Sequence, residues 1–300
     1  MQQETLIHYD TCPSCGSSKL EPTLTATDHT VSHKEFQIIT CGECQLRFTQ
    51  DAPGSASIGH YYRSDDYISH TDTSKGLVNR LYHLARKQTL STKCRLIQAA
   101  SRLEKGSLLD LGAGTGAFAA FMKGEGWEVT GLEPDGTARE KALSQNGIQL
   151  LPAEQLYELE GNTFDAITLW HVLEHVHTLH PYLEQLKKLI RPDGRIFIAV
   201  PNYTSYDART YGSNWAAYDV PRHLYHFSPD AMEDLLVLHG LKLQATQPMW
   251  YDSFYISMLS EKYRNGSGNL VRAVFNGAVS NLRAFVDKSK CSSLIYVVGK

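Results

Sequence analysis

Two groups of residues in this 300-residue chain are typed and spaced for chemistry. The first is the run Leu108-Leu109-Asp110-Leu111-Gly112-Ala113-Gly114-Thr115-Gly116, with Glu133 closing the next apolar run, Glu128-Val129-Thr130-Gly131-Leu132. An apolar run that ends in glycines predicts a buried strand turning into a helix at Ala117 to Phe121. Without Cβ atoms, such a turn lets backbone N–H groups approach a ligand closely. A carboxylate at the end of the following strand is placed to accept hydrogen bonds from ribose hydroxyls. The pattern predicts an adenosine-containing cofactor. The second group is Cys12-Pro13-Ser14-Cys15 and Cys41-Gly42-Glu43-Cys44, separated by the 25 residues from Gly16 to Thr40. Two C-x2-C turns aim four thiolates at one point, the ligand arithmetic of a tetrahedral zinc ribbon. Four sulfur ligands leave no open coordination position, so the predicted zinc is structural. Disulfides are the plain alternative, and the absence of a secretory signal pattern in this sequence argues against them.

The glycine spacing discriminates between cofactors. A dinucleotide fingerprint is G-x-G-x-x-G, whereas here the glycines fall as G-x-G-x-G and position 117 is Ala. Asp110 would repel a pyrophosphate but would accept the ammonium and sulfonium end of S-adenosylmethionine. A glycine-rich turn of some other α/β enzyme is the alternative at this point. A second signal is Phe164-Asp165-Ala166-Ile167-Thr168-Leu169-Trp170-His171-Val172-Leu173-Glu174-His175-Val176, which reads as a buried parallel strand entering a short helix. Open α/β sheets bind ligands at the C-terminal edge of such strands.

With its motifs in this order, the segment from about Gly106 to Asn202 resembles the class I S-adenosylmethionine-dependent methyltransferases. That resemblance implies an α/β, Rossmann-like, seven-stranded sheet. It also implies that Asp110, Gly112 and Gly114 line the methionine part, that Glu133 holds the ribose, and that Glu154 lies near the adenine. Trp170 and His171 would stand at the edge of the fourth strand, beside the cofactor. Glu174 and His175 are either catalytic or local helix-orienting residues.

These motifs divide the chain into a zinc ribbon over 1–55, a connector and lead-in helix over 56–105, and the cofactor-binding domain over 106–300. The connector is dense in tyrosine (Tyr61-Tyr62-Arg63-Ser64-Asp65-Asp66-Tyr67), and apolar spacing predicts a helix from Leu77 to Leu103. A helix from Tyr182 to Ile190 and a strand from Arg195 to Val200 follow the Val172–Val176 motif. Residues 203–228 form a long polar and aromatic loop that starts at the edge of the fifth strand, where substrate choice belongs. Ser228-Pro229 caps a further helix. A strand from Leu241 to Gln247, a helix from Leu270 to Asp287 and a strand from Leu294 to Gly299 complete the sheet. Within the loop, Arg222-His223-Leu224-Tyr225-His226 carries the candidate bases His223 and, second, His226, with Arg222 suited to a phosphate or carboxylate. Cys94 and Cys291 read as ordinary buried thiols.

The order of ribbon, tyrosine-rich connector, cofactor fold and His-containing loop resembles the zinc-containing sugar methyltransferases. That implies a small-molecule acceptor such as a sugar, with histidine, tyrosine and glutamate assisting proton removal. The sequence departs from that group in carrying Arg222-His223 where a Glu-His pair is common, and in lacking a further C-terminal domain. Carbon, oxygen and nitrogen acceptors stay open. Two other readings compete: an RNA methyltransferase that docks through the ribbon, and a non-catalytic cofactor-binding protein. Residues 1–55 hold three Lys/Arg against seven Asp/Glu, a poor surface for phosphates. Lys187, Lys188, Arg191 and Arg195 are the best basic cluster, and they read as a solvated helix end. With 42% hydrophobic and 20% charged residues, a net charge of −3 and no apolar run of ~18–20 residues, the composition predicts a soluble cytoplasmic protein with neither nucleic-acid nor membrane partners. It does not indicate an oligomeric state.

Overall fold

The computed structural model describes residues 5–62 and 77–300. Of the tyrosine-rich connector, Tyr61 and Tyr62 close a 3-10 turn over Ile58–Tyr62, while Arg63 to Tyr67 lie outside the described residues.

The ribbon begins with β1 (Leu6–Ile7) and a hairpin of β2 (Leu20–Thr27) and β3 (Glu35–Cys41), followed by β4 (Arg47–Thr49) and β5 (Ala52–Pro53). Helix α1 (Leu77–Ser101) leads into β6 (Ser107–Leu111), α2 (Ala117–Gly124), β7 (Glu128–Leu132), α3 (Gly136–Asn146), β8 (Phe164–Trp170), α4 (Leu179–Leu189) and β9 (Ile190–Pro201). Then come α5 (Tyr206–Tyr211), β10 (Tyr225–His226), α6 (Pro229–Leu238), β11 (Lys242–Pro248), α7 (Asp252–Asn265), α8 (Leu270–Val286) and β12 (Ser293–Gly299).

The central sheet has six strands in the order β11-β12-β9-β8-β6-β7. β7, β6, β8 and β9 run parallel, and β12 is antiparallel to both β9 and β11. Where seven strands were expected, the outermost is reduced to one parallel bridge, Leu132 to Leu151. Pro152 follows at once and has no N–H to extend a ladder.

Side-chain alternation sends the two faces of the sheet into different cores. Leu108, Ala166 and Phe197 meet Ile97 of α1 and Met122 of α2 on one face. Leu109, Ile167 and Ile198 meet Leu186 of α4 and Leu235 of α6 on the other. That second core runs on without a break into Cys41, Leu46 and Phe48 of the ribbon.

The stretch 203–228 is more ordered than its lack of periodicity predicts. It contains α5, two 3-10 turns and β10. β10 pairs antiparallel with β4, so the ribbon sheet runs β10-β4-β3-β2 and takes its edge strand from the loop. The ribbon therefore packs on the rest of its own chain. Helix α7 was not foreseen: its sequence buries serines and exposes apolar residues, the reverse of the pattern that announces a surface helix.

Candidate active site

The glycine turn leaves β6 as its sequence demands. Gly112 and Gly114 both have left-handed backbones, with φ of 61° and 55°. A Cβ on Gly112 would lie 2.6 Å from Val172 Cγ2, so this glycine is needed for packing. A Cβ on Gly114 would meet nothing within 4 Å, so the backbone there borders open space. The Gly114 N–H donates to Glu133 Oε2 at 2.8 Å, and the Asp135 N–H donates to Glu133 Oε1 at 3.0 Å. The carboxylate is thus fixed at the end of β7, beside the turn. Burial raises its pKa, and the two N–H donors oppose that rise. Glu154 is exposed in the first turn of the 3-10 segment that follows Pro152.

Asp110 is buried under the turn and accepts from the Thr168 hydroxyl at 2.7 Å. Burial pushes its pKa up to about 7, against the pull of Thr168 and Lys93. Lys93 reaches in from α1, with its ammonium 3.9 Å from the centre of the Trp170 ring. Burial lowers this lysine to about 8, while Asp252 and Asp110 work to raise it. Trp170 packs edge-on against Phe118 at 5.4 Å, and its indole N–H is buried without a partner among the described residues.

His171 follows in a left-handed conformation, φ 58°. Its Nδ1 lies 3.2 Å from Glu174 Oε1 and its Nε2 2.9 Å from Asp252 Oδ2. Burial disfavours the charged ring, but the two carboxylates outweigh it and raise the pKa to about 10. His171 is therefore a fixed imidazolium at neutral pH. Glu174 is fully buried; its second oxygen, Oε2, has no partner among the described residues.

Beside Glu174 stand His175 and His223, with a ligand-type atom from each of the three residues within 4.8 Å of the others. The two rings meet edge to face at 4.6 Å. His223 Nδ1 lies 2.9 Å from the Ala217 carbonyl, which can only accept, so Nδ1 carries the proton and Nε2 the lone pair. Burial, reinforced by His175, takes His223 down to about 4. His175 Nδ1 lies 3.0 Å from both the Arg222 carbonyl and Tyr62 Oη.

The two loop histidines are placed differently. His226 Nε2 lies 3.1 Å from Thr49 Oγ1, in the seam between β10 and β4. The Thr49 hydroxyl donates to the His223 carbonyl at 2.7 Å, so it accepts from His226. Arg222 does not face a ligand, contrary to the expectation from its sequence. Its Nε and Nη2 donate to Asp219 at 3.0 and 2.7 Å, Nη2 also to Asp28 at 3.2 Å, and Nη1 to the Tyr61 carbonyl at 2.9 Å. A buried guanidinium needs such partners, and here they come from the ribbon and the loop themselves.

The four ribbon cysteines converge as predicted. All four sulfurs lie within 4.8 Å of one another, with Cys12–Cys44 and Cys15–Cys41 both at 3.6 Å, and none is in a disulfide. Cys94 and Cys291 are buried and unpaired.

Lys93 and Asp252 were missed in the sequence. Each is an ordinary polar residue of a helix, with no motif around it, and only the tertiary fold brings it to the edge of the sheet.

Residues 84–246 match the model of a family described as a methyltransferase domain. The chain belongs to that family and is a member of the S-adenosylmethionine-dependent methyltransferases. Among curated relatives, it is 28% identical to a ubiquinone biosynthesis O-methyltransferase of Nitrosococcus oceani over 57% of this chain and 76% of the relative. It is 36% identical to the enzyme of that name from Aeromonas salmonicida, over 32% of this chain and 43% of the relative. The human mitochondrial enzyme of that name is 27% identical over 49% of this chain and 44% of its own. The chain thus spans under half the length of the last two. A solved methyltransferase from Archaeoglobus fulgidus aligns with 72% of this chain and 94% of its own, at 19% identity and a TM-score of 0.47.

Proposed function

We propose that this protein transfers a methyl group from S-adenosylmethionine to an oxygen of a small hydroxylated acceptor, of which a sugar is one instance. The observation that carries the reading is the pairing of a cofactor turn with a buried group of unused lone pairs. Gly114 backs onto open space, Glu133 stands where ribose hydroxyls would donate, and Asp110 provides the anion that an ammonium or sulfonium requires. These residues fit S-adenosylmethionine, which when bound supplies an electrophilic methyl. The O-methyltransferase names of the relatives support oxygen as the acceptor atom.

The chain's own contribution is to orient the acceptor, exclude water and receive its proton. His223 is the base in this reading, because its Nε2 accepts no hydrogen bond from the described residues and the ring is neutral at neutral pH. The carboxylates of Glu174 and Asp219 lie close enough to stabilise the imidazolium it would become; Asp219 Oδ2 is 3.9 Å from His223 Nε2. Through its Nδ1 contact, His171 holds Glu174 in place. His226 ties the loop to the ribbon and is the weaker candidate. The four cysteines hold structural zinc in this reading: tetrahedral zinc with ~2.3 Å bonds to sulfur places sulfurs ~3.8 Å apart, close to the separations here.

The test is transfer of labelled methyl into fractionated extract, with small metabolites, RNA and protein separated. Label in a small hydroxylated compound is expected; label in RNA would overturn the acceptor class. His223→Ala should lower turnover by about 10²–10⁴-fold and leave cofactor affinity unchanged. A His223→Ala enzyme with full turnover would remove His223 from the mechanism.

A further inference from the structure

Helices α7 and α8 are built inside out. A surface helix normally turns its apolar stripe to the core. Here α8 buries Ala273, Asn276, Gly277, Ser280 and Ala284, and α7 buries Ser253, Ser257, Ser260 and Glu261. The outward face of α8 carries Val271, Val274, Phe275, Leu282, Phe285 and Val286, up to 89% exposed at Val286. Phe254, Tyr255 and Met258 of α7 extend that face. The rotation of both helices is fixed by polar bonds on their inner sides. The Ser280 hydroxyl donates to Asp207 at 2.9 Å, the Asn276 amide to Tyr211 Oη at 2.9 Å, and Ser260 Oγ accepts from the Ala216 N–H at 2.9 Å. Gly277 lets Phe254 approach, since a Cβ there would lie 2.7 Å from Phe254 Cδ1. Turning either helix to hide its apolar side would break these contacts and bury large side chains where only small ones fit.

So large an apolar surface calls for an occupant, and the charge around it indicates which. Lys262, Arg264, Arg272, Arg283, Lys288 and Lys290 lie on this hairpin and just beyond it, against three acidic residues over the same stretch, in a chain of net charge −3. Asp252 is engaged with His171, and Glu261 with Asn265 and, at 3.9 Å, with Arg272, which leaves the basic side chains in excess. An apolar face flanked by basic side chains matches the interface of an anionic lipid bilayer. Pairing with a second copy fits less well. A second copy of this face carries the same excess of basic over acidic side chains, so pairing it with itself would set like charges together.

We propose that the α7–α8 hairpin docks this protein onto an anionic membrane surface, with both helices lying in the interface. No helix among the described residues is long and apolar enough to cross a membrane, and a helix that lies on the surface need not be. The first turn of α7 supplies Asp252 to His171, so the docking hairpin also forms one wall of the candidate active site.

The test uses the full-length protein with sedimenting vesicles of phosphatidylcholine, alone or with about a third phosphatidylglycerol, at about 0.1 M and about 1 M salt. Binding is expected to the anionic vesicles at low salt, at least about tenfold stronger than to neutral ones. The Val274→Glu/Phe285→Glu variant should lose that binding while keeping its melting temperature, because both side chains are exposed. Val237→Glu, at an exposed apolar position on α6, should keep it. Absence of sedimentation with both vesicle types would overturn the proposal. So would a dimer in sedimentation equilibrium that Val274→Glu/Phe285→Glu dissociates. None of these readouts depends on methyl transfer, so their failure is distinct from failure of the proposed reaction.

Discussion

At the scale of single residues, Glu133 and Asp110 do different work at the glycine turn. Glu133 is held by two backbone N–H groups and keeps lone pairs for a ligand, so Glu133→Ala should weaken S-adenosylmethionine binding. A hydrogen bond to a charged group is worth about 1.5–3 kcal/mol, so calorimetry should show at least about a tenfold rise in Kd; an unchanged Kd would remove Glu133 from the cofactor site. If Asp110 faces the cofactor's cationic end as proposed, it makes affinity depend on pH. Its folded pKa, about 7, lies above its unfolded value. The free protein therefore loses stability from this group as pH rises from about 4 to about 7. A cationic ligand favours the ionised carboxylate, so affinity should climb between pH 6 and pH 8 by about tenfold and then level off. Asp110→Asn should flatten that profile, measured as Kd against pH. The place of these two residues beside the glycine turn was legible in the sequence because they sit within a local strand–turn–helix–strand pattern. Lys93 and Asp252 were not, because no local pattern marks a helix residue whose partners are brought to it by the sheet. The partnerless Oε2 of Glu174 was equally hidden, since burial and satisfaction belong to the folded state.

At the scale of elements, the ribbon is coupled to the candidate base through two consecutive backbone bonds. The Thr49 N–H on β4 donates to the Leu224 carbonyl at 2.9 Å, and the Leu224 N–H donates to the Glu174 carbonyl at 2.8 Å. His223 precedes Leu224, so its position is held between a ribbon strand and the 3-10 turn Leu173–His175 that follows β8. Four thiols organise the hairpin that supports β4, and a module this small has little core of its own. Cys41→Ser should therefore release metal, measured by mass spectrometry of the purified protein, and should also reduce turnover through displacement of the 221–228 segment. Loss of metal with full turnover would uncouple the ribbon from the site; retained metal would argue against the four-cysteine assignment. The C-x2-C pairs were readable from spacing. Pairing of β10 with β4 was not, because a two-residue strand has no period and its partner lies far away in sequence. The inverted helix α7 escaped for the opposite reason: its pattern is clear but points outward.

At the scale of the whole molecule, ribbon, loop and cofactor-binding sheet share one fold. The central ion-paired group is Arg222, whose guanidinium bridges Asp28 of the ribbon turn and Asp219 of the loop at 1% exposure. Asp28 also accepts from the backbone N–H groups of Thr30, Val31 and Ser32. Burial works against its ionised form, but these donors and Arg222 overcome it and hold the pKa at about 2. A depressed carboxyl contributes stability above its unfolded pKa and loses it as pH falls through the folded value. This clamp is therefore complete at neutral pH and weakens between about pH 4 and pH 2. Arg222→Met removes the cation and leaves the buried Asp28 carboxylate and the half-buried Asp219 carboxylate without their shared partner. Breaking a buried pair on one side costs about 3–5 kcal/mol, which in a chain of this size corresponds to a fall in melting temperature on the order of 10 °C. Asp28→Asn should cost less, because Asp219 still neutralises the guanidinium and the amide oxygen can accept part of the turn's N–H bonds. Adding Asp28→Asn to Arg222→Met should recover part of the loss, since it removes one of the two charges that the single change leaves without that partner. Thermal melts of the four proteins at neutral pH read this as a non-additive cycle. Strict additivity would mean that Arg222 does not couple the ribbon to the 203–228 segment, leaving the β4–β10 seam as their connection.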